Sequence, residues 1–228
     1  RDGGHHMQEY SQGHKKANVK KIAPSKNNGT ITTFEPDIEI FKEISFDWNR
    51  IVHHMRQQAY LVKGLTIHVI DAREATAKID TEKSYYLYDE HFEVPSETFF
   101  FEGGLKSLVR HYNLGSKPVH KNIFYTDKQV DDVQVEVALQ YIDEISTKII
   151  PYANNIPTPD GGTHITGFKT ALTRLVNTYA RKNNILKEKD ENLNGDDVLE
   201  GLTVVVSVKL PEIQFEGQTK AKLGSMEA

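Results

Sequence analysis

Apolar residues recur along this chain with two periods, and each change of period marks where strands give way to helices. Residues 7–23 read as extended segments around a polar loop, with Gly3-Gly4 offering a tight turn before them. Asn27-Asn28-Gly29 signals a turn; the β-rich run Thr30-Ile31-Thr32-Thr33-Phe34 follows and stops at Pro36. Asp47 supplies an N-cap for a helix whose apolar residues Ile51, Met55 and Ala59 recur every fourth position, beside Val52 and Val62. Gly64 ends that helix, and Leu65–Ile70 is predicted as a strand, so the pair forms one α/β layer. Residues 72–98 are charged, tyrosine-rich and without clear period; they read as a linker with an irregular hairpin.

A second unit begins near Phe99. Gly103-Gly104 precedes the helical stripe Leu105, Leu108, Val109 and Tyr112, closed by Asn113-Leu114-Gly115. Val133, Val135, Val137, Leu139 and Tyr141 alternate with Gln134, Glu136, Ala138 and Gln140, the pattern of a half-buried strand with one polar face. Ile145–Ile150 is predicted as another strand. The loop Thr158–His164 leads into a long helix with the stripe Ile165, Phe168, Leu172, Leu175, Val176 and Tyr179. Residues 187–197 are charged and polar, with Gly195 as a breaker. Leu202–Val208 is the most hydrophobic run and is expected at the centre of a sheet. No internal repeat appears. The pattern predicts two α/β units, the second with one long helix packed on a sheet.

Composition narrows the classes. The 228 residues suffice for one large or two small domains. Charged residues make up 26% and apolar residues 38%, as in ordinary globular proteins. There is no cysteine, which excludes disulfides and thiolate metal sites and is compatible with a reducing cytosol. A formal net charge of −4 argues against a chain coated with positive charge for nucleic acid. Lys15, Lys16, Lys20, Lys21 and Lys26 form a basic stretch that reads as a solvated loop. No apolar run reaches the ~20 residues that span a bilayer. The first residues lack both an initiator methionine and a secretory layout, which predicts an excised fragment.

Candidate chemistry is sparse. Gln218-Thr219-Lys220 pairs a compact ammonium, suited to a phosphate, with an amide and a hydroxyl; on spacing alone it reads as a polar surface loop after a strand. Gly161-Gly162-Thr163 before a helix is an anion-binding geometry, or a glycine loop with Thr163 as N-cap. A Walker-type phosphate loop, a paired-histidine zinc motif and a nucleophile elbow are absent from the sequence. His53 and His54 are adjacent on a helix and point apart, as residues of an ordinary polar face.

Many blocks occur in one order: Phe101-Glu102-Gly103-Gly104-Leu105, Val135–Gln140, Asn154-Asn155-Ile156, Asp160–His164, Ala171-Leu172-Thr173-Arg174, Gly195-Asp196-Asp197, Glu200-Gly201-Leu202 and Phe215–Lys220. Together they resemble the gyrase B family, the ATP-hydrolysing half of DNA gyrase, a type IIA topoisomerase, over essentially the whole chain. The resemblance implies an α/β fold (an α+β sandwich): residues 1–96 as the C-terminal part of a GHKL-type ATP-binding domain, residues 97–228 as a transducer of ribosomal-protein-like βαβ fold. It implies that Lys220 contacts the γ-phosphate of ATP and acts in catalysis, that Gln218 holds the same loop at the pocket, and that Thr30 helps bind adenine. Arg1 aligns with a rim arginine that contacts aminocoumarin inhibitors, and Lys169 with a basic residue facing the DNA cavity.

The same resemblance places the catalytic glutamate, the Mg2+-binding asparagine, the adenine-reading aspartate and the ATP lid on earlier segments outside this chain. ATP and Mg2+ are then the cofactors of the intact gyrase B protein, an ATP-hydrolysing isomerase, while this stretch alone does not hydrolyse ATP. The implied partners are DNA, the gyrase A protein and a second gyrase B protein, in the cytoplasm and without a membrane. The implied function couples ATP binding and hydrolysis to gate closure, strand passage and negative supercoiling. The equivalent region of topoisomerase IV, or a non-catalytic signalling module, are the alternatives.

Overall fold

Two left-handed turns organise the start of the chain. Asp2-Gly3 and Gln12-Gly13 each place consecutive residues at positive φ (51° and 69°, 49° and 78°), as two-residue hairpin turns require. In this computed structural model, which describes residues 1–75 and 93–226, four short strands surround them: β1 (Gly4–Met7), β2 (Tyr10–Ser11), β3 (His14–Lys15) and β4 (Lys20–Pro24). β1 pairs antiparallel with β4, and β2 with β3. The expected strand Thr30–Phe34 does not form: residues 25–37 are irregular, and these five are exposed. β-propensity without a neighbouring strand to pair with leaves such a run as coil. The linker and hairpin expected over residues 72–98 lie mostly outside the described residues.

Helix α1 (Trp48–Leu61) starts where expected: Asp47 Oδ1 accepts the Arg50 N–H at 3.0 Å, and its carbonyl accepts Ile51 N–H at 3.1 Å. Gly64, at φ 81°, follows, and then β5 (Thr66–Ile70), which pairs with β6 (Ser96–Phe100). Contacts divide the chain into two units, Arg1–Ile51 with Ile70–Glu97 and Val52–Val69 with Thr98–Ala228. In the first unit no large hydrophobic side chain among the described residues is buried, and Ile31, Phe34, Ile38, Ile40 and Phe41 are all exposed.

The second unit is built on a five-stranded sheet. After α2 (Leu105–Tyr112) come β7 (Phe124–Val130), β8 (Val133–Tyr141), β9 (Lys148–Ala153) and β10 (Ile156–Pro157). Then follow the long helix α3 (Thr163–Lys182), the short α4 (Gly195–Leu199) and β11 (Leu202–Lys209). The strand order is β10-β9-β11-β8-β7, with β11 parallel to β9 and antiparallel to β8. A parallel pair needs a crossover, and α3 supplies it. β11 is central, as its composition demanded. One face of the sheet packs Ala138, Tyr152 and Val205 against Tyr60, Leu61, Leu105, Leu108 and Val109. The other packs Val137, Leu139, Val204 and Val206 against Ile165, Leu199, Phe168 and Leu172.

That double cover corrects the reading of β8. Its polar face does not meet water: Glu136 and Gln140 are buried. Both have partners that distant segments supply. The Tyr125 hydroxyl donates to Glu136 at 2.9 Å. Asn113 donates to Gln140 Oε1 at 3.0 Å, and Gln140 donates to the His120 carbonyl at 3.0 Å. Burial raises the Glu136 carboxyl pKa, and the Tyr125 hydrogen bond opposes that rise.

Three further expectations shift. The strand predicted at Ile145–Ile150 runs from Lys148 to Ala153. Gly195 opens a helix instead of breaking one, because Asn194 and Asp197 form a reciprocal capping box. In the α3 stripe Leu175 and Tyr179 are exposed, while Ile165, Phe168 and Leu172 pack on the sheet.

Candidate functional site

Past β11 the chain turns back on itself through a loop that carries Gln218 and Lys220. Phe215 and Leu223 bridge antiparallel; Glu216 N–H donates to the Lys222 carbonyl at 3.0 Å and Gly224 N–H to the Gln214 carbonyl at 2.8 Å. Lys220 N–H donates to the Gly217 carbonyl at 3.0 Å and closes the tip, with Gln218 and Thr219 as its central residues. Lys220 itself sits at φ 58°. All four tip residues are exposed. The Lys220 ammonium lies 6.0 Å from the Phe215 ring centroid, the outer limit of a cation–π contact, and no ion pair holds it among the described residues. Lys222 and Glu216 form an exposed ion pair across the hairpin at 3.0 Å.

The root of this hairpin is fixed twice. Leu223 is wholly buried with Val133, Ala153, Val208 and Leu210, and Phe215 packs against the same cluster. Its backbone also lies along the glycine loop that precedes α3. Asp160 N–H donates to Ala221 at 2.9 Å, Leu223 N–H to Gly161 at 3.0 Å, and Thr163 N–H to Leu223 at 3.2 Å. Thr163 is therefore not the N-cap. Gly162 occupies that position without a side-chain cap, while the Thr163 hydroxyl donates to the Ser225 carbonyl at 2.6 Å. Ser225 is itself buried, and its hydroxyl oxygen accepts the Gln214 N–H at 2.9 Å. The first α3 donor is thus committed to the hairpin's carbonyl and unavailable to an anion.

His164 lies beneath the glycine loop. It is 4% exposed, and its Nε2 is 3.3 Å from the buried Thr158 hydroxyl. Burial pushes its imidazole down to about 4, so it is neutral at pH 7.

The remaining residues expected to matter are dispersed. Lys169 is exposed on α3, two turns past its start. Arg1 and Thr30 belong to the first unit, both exposed; the Arg1 guanidinium pairs with Asp2 at 3.5 Å. Among the described residues no group of three or more His, Cys, Asp or Glu could hold a metal ion. The roles missed from sequence are those of Gly162, read only as part of an anion-binding or capping loop, and of Leu223 and Ser225. The doubled glycine was the available signal for the first; a leucine and a serine in a polar tail gave none.

Comparison with known proteins is consistent across sequence and structure. The DNA gyrase B family model matches residues 104–228. A DNA gyrase B protein from Bacillus mycoides is 44% identical over 100% of this chain and 52% of its own length, so the chain spans about half of that relative. The crystal structure of the ATPase domain of Thermus thermophilus gyrase B in complex with an aminocoumarin superposes with a TM-score of 0.77 at 36% identity, covering 100% of this chain and 57% of that one. The topoisomerase IV ATP-binding domain of Francisella tularensis, in complex with a small-molecule inhibitor, shares the fold at a TM-score of 0.71 and 24% identity over 99% of this chain and 56% of that one. With the family match running over more than half of its length, from the α2 loop through the hairpin, the chain belongs to the DNA gyrase B family.

Proposed function

We propose that this chain is the part of a gyrase B ATPase region that links the terminal phosphate of ATP to closure of a DNA gate. The observation that carries the reading is the hairpin: a lysine presented at an exposed tip, with a buried root. A rigid root and an uncommitted ammonium fit a phosphate sensor, because the contact exists only while the phosphate is attached. Lys220 would hold the γ-phosphate, stabilise charge on the transferring oxygens and bias the domains toward the closed arrangement. Gln218 supports the same tip. Bound ATP supplies the phosphoryl group; the chain's own residues bind and orient it.

In this proposal residues 1–96 complete the nucleotide-binding domain, with Thr30 at adenine and Arg1 at the rim where an aminocoumarin binds. The exposed apolar residues of the first unit suit a segment of a larger domain. Residues 97–228 form the transducer, with Lys169 toward DNA. Mg2+ would be held outside the described residues. The partners are DNA, the gyrase A protein and a second gyrase B protein, the setting is cytoplasmic, and the outcome is strand passage with negative supercoiling. The topoisomerase IV reading has the weaker support, since 24% identity speaks only for fold.

The test is Lys220→Ala in a complete gyrase B protein carrying this chain. Hydrolysis should be lost while adenine binding persists; near-normal turnover contradicts the role.

A further inference from the structure

We infer that Gly162 is a positioning residue for Lys220, and that the N-terminus of α3 and the hairpin move as one body. The inference rests on the proposed phosphate role of Lys220 and adds the element that aims it. At Gly162 φ is 131° and ψ is −164°, a region open essentially to glycine alone. A Cβ there would lie 2.3 Å from the Leu223 carbonyl oxygen, 2.6 Å from its nitrogen and 2.8 Å from its Cβ. Those atoms cannot step aside, because the Leu223 side chain is wholly buried in the sheet-end cluster. At the neighbouring Gly161, φ 72° also disfavours alanine, but there the space is free: a Cβ would meet the Ile165 side chain at 3.7 Å, an ordinary contact.

The tip is closed by its own turn hydrogen bond and otherwise stands clear. A Cβ on Gly217 would meet nothing within 4 Å. The direction of Lys220 is therefore inherited from the root three residues later, where the Gly161, Leu223 and Thr163 backbones interlock. The Thr163–Ser225–Gln214 relay ties both arms of the hairpin to the first residue of α3. A displacement of Lys220 on phosphate contact then reaches α3, which carries Lys169, without a loose joint.

Four variants of a complete gyrase B protein test this: Gly162→Ala, Gly161→Ala, Lys220→Ala and the double Gly162→Ala/Lys220→Ala. Each is read by ATP turnover, ADP affinity and amide exchange at Leu223 and Lys220. Gly162→Ala should lower kcat between about tenfold and 100-fold, the cost of misplacing a group by about 1 Å, with ADP affinity unchanged and faster exchange at both amides. The double variant should be no worse than Lys220→Ala alone, and Gly161→Ala should retain more turnover than Gly162→Ala. If Gly162→Ala does not fold, Thr163→Val and Thr163→Ser decide. Loss with valine and recovery with serine support the clamp; equal behaviour overturns it. Normal exchange and turnover in folded Gly162→Ala overturn the inference, as does a double variant far worse than Lys220→Ala. Faster exchange together with normal turnover in both Gly162→Ala and Lys220→Ala leaves the clamp standing and instead sinks the phosphate reading.

Discussion

Helices α2 and α3 both begin after a doubled glycine, and in both a glycine occupies the N-cap without a side-chain hydrogen bond. In the sequence Gly103-Gly104 and Gly161-Gly162 look alike. In space they do different things. A Cβ on Gly104 would find its nearest neighbours, Lys63 Cβ and the Tyr60 carbonyl oxygen, at 3.6 Å, so the requirement there is backbone conformation, with φ 52°. At Gly162 the conformation and the space are both taken, the latter by Leu223. A glycine pair thus signals either a turn or a docking groove. Only the partner strand, some 60 residues later, tells which.

The largest consequence is in stability. Gly104→Ala should cost about 1–2 kcal/mol, the strain of a backbone region unfavourable to alanine. Gly162→Ala should cost more, about 2–3 kcal/mol, because a backbone clash adds to the strain. Urea unfolding of the two variants measures the gap, and equal losses would erase the distinction.

Acid should act at α3. His164, held neutral beneath its glycine loop, titrates at about 4 when folded against 6.5 when free. Between those values the unfolded chain binds the extra proton, so stability rises with pH across that window and falls on acidification through it. Below about 4 its contribution is lost. His164→Gln should flatten the slope of stability against pH over that range; an unaltered slope would assign the acid sensitivity to other groups.

Helix α4 supplies the contrasting case of a side-chain cap. Asn194→Ala should cost about 1 kcal/mol, readable as a small shift of the urea midpoint, whereas Asn194→Gly should cost only a few tenths. The exposed Lys222–Glu216 pair is the smallest term. Lys222→Ala should change stability by less than about 1 kcal/mol, and a larger loss would mean that the ion pair, and not the buried root, secures the hairpin.

What could be read in the sequence follows from where the physical information resides. β11 was legible because a strand covered on both faces is apolar throughout, and α1 because Asp47, the four-residue period and Gly64 are all local. β7 was missed: Phe124–Val130 is an edge strand with mostly exposed side chains, and its pairing with β8 is the reason it is extended. The buried polar face of β8 was misread since Glu136 and Gln140 look solvated until Tyr125, Asn113 and His120 arrive as partners. Thr30–Phe34 failed in the opposite sense, with local propensity but no strand beside it among the described residues. At the candidate site, the chemistry of Gln218-Thr219-Lys220 came from family resemblance. The clamp on Gly162 depends on contacts about 60 residues apart, which no local pattern encodes.

The most direct test compares binding of a non-hydrolysable ATP analogue and of ADP by complete gyrase B proteins with Lys220 intact or replaced by alanine. A charge-assisted contact is worth about 1.5–3 kcal/mol. The account therefore predicts that Lys220→Ala weakens the analogue by roughly 10- to 100-fold and leaves ADP unchanged. Equal weakening of both ligands, or of neither, would contradict the claim that this hairpin reads the terminal phosphate.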